Sequence, residues 1–498
     1  MRMRVGLVIP LTLVAVLAFV YGAAASANAR EAVVQAPSVY VPPPPVRTYP
    51  TTNARIQAWI ARDAMDSIRA HGWDIWQSIT SRTATGRPVW QTWYSGHELF
   101  EMTGQTRMLA RADARGMVRF HPLALPPGHR PTPMMAAVNG IPYDAAERTF
   151  AFNRFSQTTA QFVWNKRLNN GNTLRDTLLA MVAKGLPIAQ REVLTSADST
   201  DAQSFVLKPV FQFISSTEVT AVPVWTGYDT ASTYTPGNPV PSRWRHAIAV
   251  DPTGKYKLGD SITMVINNEP PVKLPVVPLN QFYYIKITKA DSASFTTFGA
   301  VNGDFIGTAN DTSAQAVYMA VRPGSIGLLM AMHVTGKEIP NWTWQSYWWT
   351  LNPSDSMGYD RPKSIPAPWN HYDMTVAYAM VHADGSQWIA FNPYLETNLG
   401  GLVPTGANGA DTVAWTGVTT NCMSCHRRAS IGWATVGQNI IPTGPPYGPD
   451  MNIAAGDSVV FTQPVPGVPG RVPLLKTDFL WSVAIRASQP TASGARRP

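Results

Sequence analysis

The sequence predicts an α+β protein with a mainly helical N-terminal part, a β-rich middle and a loop-rich C-terminal segment closed by a final helix. Three observations carry that reading. Between residues 53 and about 185, apolar residues recur at helical spacing. From residue 204 onward they come as short Val-, Ile-, Phe- and Tyr-rich runs separated by Gly, Pro, Asn and Ser, which are strand signals. The 43 prolines favour irregular connections over long helices, and helices and strands are segregated rather than alternating. The chain is read as residues 1–29, a leader; 30–52, a proline-rich tether; 53–200, mainly helical; 201–400, β-rich with a Trp-rich stretch; and 401–498, the segment holding both cysteines.

The first 29 residues place Arg2 and Arg4 ahead of an apolar run from Val5 to about Val20, then Ala27-Asn28-Ala29. This is the layout of a secretory signal peptide cut after Ala29 or Ala27. An uncleaved anchor is the alternative, although Pro10 interrupts a run shorter than the roughly 20 residues that span a bilayer. No later segment is apolar enough to span, so the expected location is periplasmic or otherwise extracytoplasmic. Pro42 to Pro45 favour an extended polyproline spacer.

Ile56, Trp59, Ile60 and Ile68 predict a helix capped by Thr52 or Asn53. The stretch 147–168, "ERTFAFNRFSQTTAQFVWNKRL", reads as largely helical. In "NTLRDTLLAMVAKGLP", Asn172 is the expected N-cap, Leu174, Leu178, Met181 and Val182 form the apolar stripe, and Gly185 and Pro187 end it. Strands are expected at "SFVLKPVFQFIS", "EVTAVPVW", "RHAIAV", "SITMVI", "FYYIKIT", "IGLLMAMHV", "NWTWQSYWW" and "SQWIAFN", and a last helix at "TDFLWSVAIRAS".

Only 14% of residues are charged, against about 25% on average, and the net charge is +9 without a dense Lys/Arg block. That composition argues against a nucleic-acid partner. No glycine-rich phosphate loop or nucleophile-elbow serine is present.

Cys422 and Cys425 are the only cysteines, and His426 follows them directly. C-x-x-C-H is the pattern of c-type haem attachment. Two thiols at this spacing reach the two vinyl groups of one porphyrin, and the adjacent histidine supplies the proximal iron ligand. A zinc site completed by remote ligands, a redox dithiol and a plain disulfide are the rival readings. An export leader favours haem, because haem c is attached outside the cytoplasm. One covalent haem c, with its iron, is therefore expected on Cys422, Cys425 and His426.

"NCMSCHRRA", "HVTGKEIPNWTWQSYWW" and "TDFLWSVAIRA" resemble a group of large bacterial extracytoplasmic proteins of the cytochrome c family. The resemblance runs from about residue 200 to 490 and is weaker upstream. It implies haem binding but no particular reaction. The chain departs from small soluble cytochromes, since only 72 residues follow His426 and a far larger portion precedes it.

Candidates for the second axial position are Met451, on a Pro/Gly-rich loop, and His333, at the end of an apolar strand; His371, His382 and His97 are further histidines. Arg427 is placed to neutralise a haem propionate. Lys337 and Glu338 are expected as a solvated loop pair, or as propionate partners. Trp342, Trp344 and Trp348 would share one strand face, either covering the haem or forming ordinary aromatic core. Electron transfer through the haem iron is the leading expectation. The alternative is a haem-dependent oxidoreductase acting on a small molecule, motivated by the size of the body upstream. The partner is accordingly a redox protein or a small-molecule substrate.

Overall fold

The computed structural model describes residues 40–100, 137–193, 200–226, 246–264, 271–287, 324–396, 400–435, 438–440 and 452–487, apart from a few short stretches within these ranges. The leader and Met451 lie outside them. Helices and antiparallel sheets both contribute, so the α+β class holds. No helix among the described residues is long and apolar enough to cross a membrane.

The helices used below are α1 (Asn53–Ile60), α2 (Met65–Thr80), α3 (Gln157–Asn165), α4 (Gly171–Ala183), α5 (Pro393–Glu396), α6 (Cys422–Arg427) and α7 (Trp481–Arg486). The scaffold is an antiparallel sheet built on two long strands, β1 (Asp201–Ile214) and β2 (Ile326–Lys337). Beside β2 come β3 (Thr343–Trp349) and β4 (Tyr372–Ala377). Tyr94–Ser95, Thr149–Ala151, Arg154–Phe155 and Tyr284–Lys286 extend it. A separate four-stranded sheet is formed by Thr220–Pro223, Ala247–Asp251, Val272–Pro278 and Ser261–Met264. One aromatic-rich core joins residues from 49 to 487, so the helical and β-rich stretches share a single interior.

Alternation along the strands assigns the faces of the main sheet. One face receives α2, whose Ile68, Trp73, Ile75, Trp76 and Ile79 are buried. Trp76 stacks on Tyr347 at 4.3 Å, and the Tyr347 hydroxyl donates to the Gly72 carbonyl at 2.5 Å. Gly72 is required here, because a Cβ would lie 2.8 Å from Met374 Sδ and 3.1 Å from Val376 Cγ1. The opposite face carries Lys208, His333, Ser346 and Thr375 as one cross-strand row. The segment 390–396 crosses this second face. Thr375 Oγ1 donates to the Phe391 carbonyl at 3.0 Å, and Asn392 Nδ2 donates to Ser346 Oγ at 2.8 Å.

Several expectations are corrected. From Tyr40 onward the stretch read as a tether is packed on the body. Asp74 accepts from Arg47 and from the Thr48 N–H, Ser78 Oγ donates to the Pro44 carbonyl, and buried Tyr49 donates to the Ala202 carbonyl. The first helical pattern splits into α1, capped by Thr52, and α2. The first half of 147–168 forms strands that pair with β1, and only α3 is helical, because edge pairing with β1 outcompetes local propensity. The N-cap of α4 is Asn170 rather than Asn172; its side chain accepts from the Thr173 N–H at 3.1 Å. "SQWIAFN" has no strand pairing beyond a single Val381–Gln387 bridge, since its polar groups are engaged in holding the second face.

Candidate haem site

The C-x-x-C-H stretch opens α6, and Asn421 is its N-cap. Asn421 Oδ1 accepts from the Ser424 N–H at 3.0 Å, while Nδ2 donates to the Trp388 carbonyl at 2.6 Å and the Ala379 carbonyl at 3.2 Å. One fully buried side chain thus both starts the helix and ties it to the segment lying on the sheet. Cys422 is buried and Cys425 half-buried, and neither forms a disulfide. They sit one helical turn apart on a rigid element, the disposition that double thioether attachment needs.

His426 is held from the far end of the chain. Its Nδ1 lies 2.8 Å from the Phe479 carbonyl oxygen. A carbonyl can only accept, so Nδ1 carries the proton and Nε2 keeps its lone pair for a metal. Burial, opposed only in part by the Phe479 contact, lowers the imidazole to about 4, so the ring is neutral near pH 7. The carbonyl is aimed by backbone geometry. Asp478 and Phe479 take φ of 51° and 64°, a left-handed pair that costs non-glycine residues on the order of 1 kcal/mol each or more. Surrounding contacts enforce it: Thr477 N–H bonds the Ala429 carbonyl, Ser430 and Ile431 pair with Lys476 and Leu475, and Thr477 Oγ1 donates to the Leu480 carbonyl.

Asp478 also engages Lys337, with Nζ to Oδ1 at 2.5 Å, and Trp342, with Nε1 to Oδ2 at 3.2 Å. Burial pushes the Asp478 carboxyl up to about 7, with Lys337 opposing. The expectation of a solvated Lys337–Glu338 pair is therefore wrong. Both are buried, Lys337 as the last residue of β2 and Glu338 in the turn that follows, and they turn to different partners. Glu338 Oε2 lies 3.1 Å from His71 Nε2 on the α2 side.

The three tryptophans do not act alike. Trp342 precedes β3 with φ of 62°, which breaks the alternation. Trp344 packs against His426 with ring centroids 4.3 Å apart, while Trp348 stacks on Phe391 at 6.2 Å. Arg427 lies over Phe479 at 5.1 Å, and its Nε is buried with no hydrogen-bond partner among the described residues. An orphaned guanidinium donor beside the motif is suited to a carboxylate that the polypeptide does not supply.

His333 is brought to the motif. Its Nε2 lies 3.2 Å from Glu396 Oε1, and donor atoms of His333, Glu396 and Cys422 all fall within 4.8 Å of one another. Burial acts to raise the Glu396 carboxyl, but His333, the Asn392 N–H and Lys208 together hold it below its ordinary value. Burial lowers the Lys208 ammonium against the pull of Glu396 and Cys425. His333 and Glu396 each keep 22% side-chain exposure although His333 sits mid-strand in the interior of the sheet. Both therefore keep solvent-reachable surface beside the motif. His371 and His382 are engaged elsewhere, with Gln281 and Asp63.

Asn421, Lys208, Glu396 and Phe479 were not singled out from sequence. Asn421 had a signal, an N-cap residue directly before a helix start, whereas Lys208 and Glu396 join the site only through strand register and a chain crossing. No protein-family model, curated protein or solved structure matches this chain.

Proposed function

We propose that this chain is an extracytoplasmic c-type cytochrome that carries one covalent haem and transfers electrons. The observation that carries the reading is His426, neutral, with Nδ1 on the Phe479 carbonyl and Nε2 left for a metal, directly after two cysteines that share one helix and form no disulfide. Cys422 and Cys425 hold the haem as thioethers, His426 Nε2 is the proximal ligand, and Arg427 meets a propionate. When bound, the haem supplies a reversible one-electron iron couple. Trp344 shields the proximal imidazole from water, and the Phe479 carbonyl fixes its orientation and raises its basicity as a ligand. His333 and Met451 are the candidates that would supply a second ligand to the iron. The leader supports an extracytoplasmic location with a redox protein as partner.

The test is a pyridine-haemochrome spectrum of the chain matured with a haem-attachment system. Covalent haem at one per chain is expected, lost in Cys422→Ser/Cys425→Ser. A haemochrome-negative wild type refutes the reading.

A second reading, a haem-dependent oxidoreductase acting on a small molecule, is favoured by one observation. Three polar side chains, Lys208, His333 and Glu396, gather near the motif, and His333 and Glu396 keep 22% side-chain exposure. Rapid carbon monoxide binding to the reduced protein favours this reading, and inertness favours the six-coordinate carrier.

A further inference from the structure

His333 Nε2 and Glu396 Oε1 approach to 3.2 Å beside a reduced thiol. That separation is a hydrogen bond between the imidazole and the carboxylate. Two donors each about 2.0–2.1 Å from a tetrahedral zinc ion stand about 3.3–3.4 Å apart. The His333–Glu396 pair is therefore already near the spacing of two ligands on one cation, so an ion can replace the hydrogen bond with little movement. Cys422 Sγ falls with one ligand atom each of His333 and Glu396 in a group spanning no more than 4.8 Å, and supplies the third donor, of the soft type that selects zinc. The three come from β2, α5 and α6, so they are fixed by separate parts of the scaffold. The Asn392 N–H binds the other Glu396 oxygen at 2.6 Å and orients the carboxylate. The similar contact of His71 with Glu338, at 3.1 Å, lacks a thiol and is fully sealed, so it offers no such site.

We propose that the haem-free chain binds one zinc-class divalent ion through His333, Glu396 and Cys422, leaving a fourth position open. Binding converts the Cys422 thiol to a thiolate and releases its proton to solvent. Thioether formation places the same sulfur on one vinyl carbon and the thiol hydrogen on the other, so no thiolate remains. Metal occupancy and haem attachment at Cys422 therefore exclude each other. The metal site itself stands apart from the haem reading; only the exclusion rests on it. Metal ligation also keeps Cys422 from closing onto Cys425 in an oxidising compartment. Lys208, which neighbours Glu396, competes with the ion for its charge.

The experiment uses the full chain expressed without haem attachment, reduced, and titrated anaerobically with zinc and with cobalt as a spectroscopic probe. One ion per chain is expected, with a thiolate-to-cobalt charge-transfer band. Cys422→Ser, His333→Ala and Glu396→Gln should each weaken binding at least about tenfold, and Lys208→Met should strengthen it. Equimolar zinc should also raise the unfolding midpoint of the wild type, which keeps the test decisive if a variant fails to fold. Sub-stoichiometric zinc, or loss of the ion in Cys425→Ser as complete as in Cys422→Ser, overturns the site. Zinc binding by haem-loaded chain as tight as by haem-free chain overturns the exclusion. A haemochrome-negative wild type that still binds zinc refutes the haem reading and leaves the metal site standing.

Discussion

Replacing Asn421 with Ala removes the side chain that holds the cysteine-bearing helix to the sheet. Three contacts are lost: the cap to the Ser424 N–H and the donations to the Trp388 and Ala379 carbonyls. A lost N-cap costs about 1 kcal/mol. A buried carbonyl left without its donor costs about 1–3 kcal/mol, and the Trp388 contact, at 2.6 Å and buried, is the stronger of the two. The sum for opening α6 is about 3 kcal/mol, which corresponds to roughly 150-fold faster local exchange. Hydrogen–deuterium exchange of peptides covering residues 419–430 measures this directly, without assuming that so large a chain unfolds in one step. Asn421→Ser keeps a cap oxygen but cannot reach both carbonyls, so it should recover about 1 kcal/mol of the loss. Acceleration below about fivefold in Asn421→Ala would show that α6 is held by something other than this residue.

Other consequences follow from the same geometry. In the haem-free chain His426 is depressed to about 4 from an ordinary value near 6.5, so its contribution is present above about pH 6.5 and lost as pH falls toward 4. Unfolding free energy should drop by about 3 kcal/mol over that window from this group, and His426→Phe should lack that part of the slope in denaturation series run at stepped pH. Lys337→Met removes the group that opposes the raised Asp478 carboxyl, so Asp478 should protonate and the variant should lose stability as pH rises above about 4, a trend that Lys337→Met/Asp478→Asn should abolish in calorimetry at stepped pH. Gly72→Ala gains about 1 kcal/mol of helix propensity but forces a methyl against Met374 and Val376, at about 1–3 kcal/mol. A net loss near 1 kcal/mol is expected in thermal melts, and a stabilised variant would contradict the close approach of α2 to the sheet.

Local patterns were legible where local physics decides them. Short apolar runs bounded by turn residues, such as 204–215 and 326–334, form β1 and β2. Thr52 caps α1 because a hydroxyl in the extended conformation reaches the next turn wherever it occurs. The fate of Lys337 and Glu338 was not legible. Adjacent charges read as a solvated pair, yet at the end of a central strand both are buried, with partners 141 and 267 positions away.

By itself the sequence determined the α+β class and the C-x-x-C-H stretch, because strand propensity, helix capping and thiol spacing act over a few residues. Only the tertiary structure decided what faces that stretch. Strand register put Lys208 beside His333, and a chain crossing carried Glu396 onto them. A left-handed kink at Asp478 and Phe479 turned a carbonyl toward His426, 53 residues away. Register and crossing are set by the burial of whole faces, a property of the assembled core that no short window of residues contains.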